Sequence, residues 1–288
     1  MFGLTRDSGR ATELNRAGVK AIVGEIGKPE SFIGALKNCD VAVHAAYANE
    51  GAAQLDRLAL EAFADASEDG RLRKLVYTSG LWVHGDTGDT TVDESTPLAP
   101  HDVVMWRAAH EEIAMDLAQN EVTVIVFRPS IVYGGSRGII GDMFRRAKER
   151  SAVRVPGTGE QAWCMVHVRD VAEAYALGIE HAASGDRFLL TDGSTQTALE
   201  VGEAIARVTG TKVELWPAEE VLARLGDYGK AMLGSTRVSS MKARRDLGWV
   251  PRHTSAIGEI EALYKEWLGP RKRRCRRLLR VAGPHRCR

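Results

Sequence analysis

Short, β-branched apolar runs alternate with longer amphipathic stretches along almost the whole chain, and that alternation leaves few folds open. A strand buried on both faces reads as a short apolar run, and an amphipathic helix carries the chain back to its parallel neighbour. Lys20–Gly24, Asp40–Ala46, Lys74–Ser79, Val122–Phe127, Arg187–Thr191 and Lys212–Trp216 read as strands. Pro29–Lys37, Gln54–Ala66, Trp106–Gln119, Asp170–His181, Thr197–Thr209 and Ser255–Trp267 read as helices. In the first of these, Phe32, Ile33 and Leu36 share one face. The expected class is α/β, a doubly wound and mainly parallel sheet with a smaller C-terminal lobe. Ligands bind such sheets beyond the carboxyl ends of the strands, so residues just after each strand are the first to consider for function.

At 288 residues and 44% hydrophobic, the chain is large enough to bury a substantial core. No apolar run approaches the ~18 residues of a membrane span, and Met1–Arg10 has no apolar segment of a secretory signal. Cys39, Cys164, Cys275 and Cys287 form no C-x-x-C pattern, which suits free thiols and a reducing, cytoplasmic setting. The net charge of +1 conceals an asymmetry: nine Lys/Arg and no acid lie between Pro270 and Arg288, leaving −8 for the rest. Residues 270–288 are therefore expected to be a disordered basic tail, and a body of that charge gives no reason for nucleic-acid or membrane binding.

Several motifs then arrive in a fixed order: GLTRDSGRATEL (3–14), GEIGKPESF (24–32), HAAY (44–47), VYTSGLWVHGD (76–86), RPSIVYGG (128–135), MVHVRDVAEA (165–174) and ARRDLGWVPR (243–252). Together they resemble the extended short-chain dehydrogenase/reductases of the NAD-dependent epimerase/dehydratase group, over Met1 to Trp267. The resemblance implies one Rossmann-like domain over 1–269, with the substrate lobe drawn mostly from 135–165 and 190–260. It also implies an NAD(P)-dependent oxidoreductase or epimerase acting on a small or sugar-like substrate, with a homodimer as a family habit. The chain opens at what resembles the family's second strand, and no G-x-x-G-x-x-G lies near Met1. The first strand and the phosphate-binding loop are thus expected to be absent. Two strand edges are then left unpaired and dinucleotide binding is weakened. A non-catalytic nucleotide-sensing or scaffold protein, or an inactive fragment of such an enzyme, are the alternatives.

The same resemblance assigns residues. Arg6 would meet the 2′-phosphate of NADP, preferred here over NAD. Glu25 and Ile26 would flank the adenine, and Ala45, Ala46 and Tyr47 the middle of the cofactor. Ser79, Gly80, Pro129, Ser130, Ile131 and Val132 would lie beside the nicotinamide. Trp82, His84, Trp106, Tyr133 and Arg137 would face the substrate, with Arg137 and its neighbouring glycines suited to an anionic group. The family's Tyr-x-x-x-Lys pair is replaced by Trp106-Arg-Ala-Ala-His110. An indole has no titratable proton near neutral pH, so Ser79 and His110 are the remaining catalytic candidates, and His110 would also bind the cofactor through a ribose hydroxyl. His167 and Asp170 offer two metal ligands at i, i+3 with no third in sight, so no metal site is expected.

Overall fold

The computed structural model describes residues 1–48 and 50–269; the basic tail, with Cys275 and Cys287, lies outside them. The elements run β1 (Phe2–Thr5), α1 (Ser8–Arg16), β2 (Lys20–Val23), α2 (Ile33–Leu36), β3 (Val41–His44), α3 (Ala52–Glu68), β4 (Lys74–Thr78), α4 (Met105–Asp116) and β5 (Thr123–Pro129). They continue through β6 (Ile131–Tyr133), α5 (Gly138–Arg150), β7 (Ala152–Pro156), β8 (Ala162–His167), α6 (Val168–His181), β9 (Arg187–Leu190), β10 (Thr195–Thr197) and α7 (Ala198–Thr209). The last are β11 (Lys212–Trp216), α8 (Ala218–Leu233), α9 (Met241–Leu247) and α10 (Ile260–Leu268).

Strands β3, β4, β5 and β9 form a parallel four-stranded sheet in that order. Because side chains alternate along a strand, each face of this sheet has its own core. Leu75, Tyr77, Val124 and Val126 point toward α3 and α4 and pack with Leu60 and Phe63. Val76, Ile125 and Phe127 point the other way, onto Val171 and Tyr175 of α6 and onto Trp249. A third cluster, built on Phe144, Val155, Trp163, Ile205 and Ile260, is the core of the second lobe. That lobe holds the β10–β8–β6 sheet and the β11–β7 pair. Pro129 still pairs with Leu190 in the main sheet, while Ile131 already pairs with Met165 in the lobe. Ser130 is the single residue between them.

The expected sheet is divided. β1 pairs only with β2, and β3 only with β4, among the described residues. One face of β3 is covered through Ala42 and His44, while Val41 and Val43 on the other face are exposed, as are Phe2 and Leu4 of β1. In a doubly wound sheet both faces are covered, so four exposed apolar side chains on two strands depart from that pattern among the described residues.

The opening motif is a strand followed by a helix, because Asp7 Oδ1 accepts from the Arg10 amide at 2.6 Å and caps α1. Two local expectations shift. The helix expected over Pro29–Lys37 breaks at Phe32, whose φ of −137° is not helical and whose ring is buried. The last helix starts at Ile260 rather than Ser255, since Ser255 Oγ accepts from the Gly258 amide and holds a turn there. None of the described helices is long and apolar enough to cross a membrane.

Candidate active site

The carboxyl ends of β4 and β5 lie side by side, with the Ser79 amide donating to the Phe127 carbonyl at 2.8 Å. Ser79 and Ser130, one residue past each strand, are both buried, and neither hydroxyl has a hydrogen-bond partner. Buried hydroxyls are almost always paired, so two orphans at neighbouring strand ends are out of the ordinary. Thr78, just before them, faces the opposite layer and bonds the Tyr175 hydroxyl at 2.8 Å. Its carbonyl accepts from Arg107 Nη1 at 2.9 Å, which ties α4 to the strand end.

On the α3–α4 side, the β3–β4 register sets His44 opposite Tyr77. Both side chains project to the same face and meet Asp56 of α3. His44 Nε2 lies 2.8 Å from Asp56 Oδ1. Tyr77 donates to Oδ2 at 2.8 Å. His110 Nδ1 lies 2.7 Å from the same Oδ2. All four residues are buried. Burial pushes the Asp56 carboxyl upward, but hydrogen bonds from His44, His110 and Tyr77 together with the His44 charge hold it below the usual carboxylate range. Burial and the adjacent Asp56 push the Tyr77 phenol well above its ordinary value. Trp106 meets the His110 ring edge-on at 4.9 Å between centroids and stacks beneath the Arg107 guanidinium.

Asp56, His44 and Tyr77 are missing from the residues assigned by sequence. A signal existed for Asp56: it is the acid on the apolar stripe of α3, in line with Ala59, Leu60 and Phe63. The histidine of HAAY and the tyrosine of VYTS are ordinary strand residues until pairing places them together.

Beside this cluster, Arg128 makes a bidentate, fully buried pair with Glu111 of α4 at 3.0 and 2.6 Å. Arg128 Nη1 also lies 3.2 Å from His84 Nε2. A guanidinium cannot accept, so Nε2 is the bare nitrogen and the buried Nδ1–H is left without a partner. Burial first, and the Arg128 charge second, bring His84 down to about 4. His84 is therefore neutral when folded, while the unfolded chain binds a proton below about 6.5. Stability is retained above that value and falls as the pH drops toward 4, by about 3 kcal/mol from this group. Urea unfolding at pH 7 and pH 4.5 is expected to show a loss smaller by about that amount in His84→Gln. Equal losses in both proteins would remove the cause.

The remaining assigned residues divide by place. Arg6, just past β1, is exposed, and its neighbour Asp7 is occupied as the helix cap. Glu25 is exposed and bridges Lys28 at 3.4 Å, while Ile26 packs against the α3 core. Ala45, Ala46 and Tyr47 are exposed after β3, and the Arg107 guanidinium lies 5.6 Å from the Tyr47 ring. Gly80 and Trp82 are half-buried, with Trp82 edge-on to Tyr228 of α8 at 5.5 Å. Pro129 and Ile131 are buried and Val132 half-buried. Tyr133 and His84 face inward rather than toward solvent: the Tyr133 hydroxyl bonds Asp192 at 3.3 Å, and His84 is engaged by Arg128.

Arg137 is exposed at the start of α5, inside Gly135-Ser-Arg-Gly138-Ile-Ile-Gly141. This spacing follows strand β6, far from the N-terminus where such a loop is usually sought. Gly138 has φ +75°, and a Cβ on Gly141 would sit 2.6 Å from the Ser136 carbonyl oxygen, so both positions require glycine.

Asp170, the second residue of the His-x-x-Asp pair, accepts from the amides of Arg252 and His253 at 3.2 and 3.0 Å. His167, His253 and Glu259 do converge within 4.8 Å. One nitrogen of each histidine is engaged: His167 Nδ1 accepts from the Arg169 amide and His253 Nδ1 lies 2.7 Å from Glu259. The group clamps the segment ahead of α10 to the end of β8.

Residues 1–190 match the NAD dependent epimerase/dehydratase family, and the chain belongs to it. An uncharacterised protein of Schizosaccharomyces pombe is 23% identical over 267 residues, spanning 90% of this chain and 89% of its own. A solved dTDP-glucose 4,6-dehydratase of Streptomyces venezuelae, with NAD and DAU bound, is similar with a TM-score of 0.78 at 16% identity, covering 91% of this chain and 86% of its own. A UDP-glucose 4-epimerase of Thermotoga maritima, with UDP-glucose, gives a TM-score of 0.75 at 18% identity, over 93% of this chain and 90% of its own. The likeness to these structures carries the Rossmann-like fold.

Proposed function

We propose that this chain is a nicotinamide-dinucleotide-dependent oxidoreductase or epimerase of small-sugar or sugar-nucleotide chemistry, with NADP preferred. The observation that carries the proposal is the pair of buried, unpartnered hydroxyls, Ser79 and Ser130, at the ends of adjacent parallel strands in a member of this family. A nicotinamide and its ribose have the polar edges to satisfy two such groups, so this half of the cofactor fits. The NAD in the Streptomyces dehydratase and the sugar nucleotide in the Thermotoga epimerase support the same direction.

When bound, the nicotinamide supplies hydride transfer. The chain's own residues position and enclose it. Ser79 and Ser130 hold polar atoms at the strand ends, while Pro129, Ile131 and Val132 exclude water beside them. Ala45 and Ala46 are small enough for close backbone approach. Arg6, with Asp7 occupied, presents an exposed guanidinium after β1, a chemistry that suits a 2′-phosphate.

A thermal-shift titration with NADPH and NADH tests this. NADPH at about 100 Kd is expected to stabilise the protein by about 2.7 kcal/mol, a shift of several degrees. NADH should give less, and Arg6→Ala should erase the difference. No shift with either dinucleotide defeats the proposal. A non-catalytic nucleotide-sensing protein is the second reading, favoured by Trp106 standing where the family's tyrosine gives its proton. A clear NADPH shift with no reduction or oxidation of any sugar nucleotide would single it out.

A further inference from the structure

The buried carboxylate that joins two histidines and a tyrosine in the candidate site has no part in the cofactor reading above, and the family's own acid–base residues do not explain it. A carboxylate only accepts, so Asp56 requires a hydrogen on each of the three atoms around it. That fixes the tautomer of His110: Nδ1 carries the proton and faces Asp56 Oδ2 at 2.7 Å, leaving Nε2 as the basic nitrogen. Nε2 has no hydrogen-bond partner among the described residues and is not among the fully buried unpartnered atoms. Asp56 is in turn held from two sides, by His44 at the end of β3 and Tyr77 in β4. Arg107, one helical step before His110, anchors the same turn of α4 to the Thr78 carbonyl, next to Ser79. A helix turn pinned at both ends beside the strand terminus gives the imidazole one orientation.

We propose that His110 is the proton-transferring group of this protein, and that Asp56 is its positioning residue, with His44 and Tyr77 holding Asp56. The proposal rests on the nicotinamide reading above. In the oxidative direction a substrate hydroxyl loses its proton to Nε2 of His110. The O–H bond breaks, an N–H bond forms, and the oxygen keeps the electron pair to make a carbonyl. A bound oxidised nicotinamide dinucleotide would supply the acceptor for the hydride that carries away the two electrons of the adjacent C–H bond. The imidazolium so formed lies against Asp56, which offsets its charge within a buried site. The reverse direction returns the proton from Nε2 to the carbonyl oxygen.

The test uses the full chain, with diethyl pyrocarbonate as the probe of imidazole nitrogens and long-range proton–nitrogen NMR as the probe of tautomer. His110 is expected in the Nδ1–H form and to be acylated at Nε2, with the exposed His181 as internal standard. NADPH at about ten Kd should slow that acylation about tenfold. Asp56→Asn should lose the single tautomer. With UDP- or dTDP-glucose, His110→Gln should keep the NADPH thermal shift and lose about a hundredfold or more in turnover. Asp56→Asn should lower kcat with little change in KM. An Nε2–H tautomer, an unreactive His110, or acylation that NADPH leaves unchanged while it stabilises the protein would overturn the proposal. Wild-type turnover in His110→Gln would do the same. Absence of any NADPH shift in the wild type is a different failure: it removes the cofactor reading, and the tautomer and acylation results still decide whether His110 is poised as a base.

Discussion

Glu111→Ala is expected to destabilise the protein by about 3–5 kcal/mol, because it leaves the Arg128 guanidinium buried without its anion. Arg128 and Glu111 are both almost wholly inaccessible, and two hydrogen bonds of 3.0 and 2.6 Å join them. Among the described residues the only other side chain bonded to Arg128 is His84, which is neutral, and Arg187 sits 3.7 Å from the same glutamate. Removing the anion therefore leaves the Arg128 guanidinium without an acid beside it, while Arg187 keeps its pair with Glu112 at 2.8 Å. The double change Glu111→Leu with Arg128→Met is expected to recover most of the loss, since well-packed apolar replacements of buried ion pairs are often neutral. Urea unfolding of the three proteins checks this. A single-variant cost below about 1 kcal/mol would show that water reaches the pair.

Trp249→Ala should cost about as much, 3–5 kcal/mol, and for a different reason. The indole is fully buried between β9, α6 and α9, and it packs with Val171 and Leu247. Its Nε1 donates to the Asp170 carbonyl at 2.9 Å, and the Asp170 carboxylate accepts from the amides of Arg252 and His253. One tryptophan and one aspartate thus fasten the segment that leads to α10 onto the helix following β8. Trp249→Phe keeps most of the packing and removes only the Nε1–H bond to the Asp170 carbonyl, so its smaller cost, about 1 kcal/mol, isolates that hydrogen bond. If alanine and phenylalanine cost the same, packing is not the main term.

Much of the strand and helix pattern was legible because it depends on local chemistry. Val122–Phe127 alternates between two cores and reads as a buried strand from its composition alone. Thr197 with Glu200 forms a capping box, and Gly210 at φ +68° ends the same helix, so α7 is bounded by its own residues. The elements of the second lobe were harder to read. β6 and β10 are three residues each, and α8 contains a non-helical Gly226 at φ 52° and ψ −131°. Strands that short carry too few alternations to define a period, and they exist because β8 lies between them.

The candidate site divides in the same way. Arg128-Pro129-Ser130 and the Trp106/His110 substitution were visible as motifs, since each is a run of neighbours in sequence. The unpartnered state of Ser79 and Ser130 was not visible, because it is a property of what surrounds the strand ends. The meeting of His44, Asp56, Tyr77 and His110 was invisible too. It needs the β3–β4 register to put a histidine across from a tyrosine, and two helices to bring an acid and a second histidine over them. What the sequence determined by itself is the order of elements and the family, through periodicity, caps and short motifs that act over a few residues. Only the tertiary structure decided which polar side chains are buried together. Burial and partnership depend on contacts between residues far apart in the chain, such as His110 with Asp56, 54 residues away, and Thr78 with Tyr175, 97 away, and no local rule encodes them.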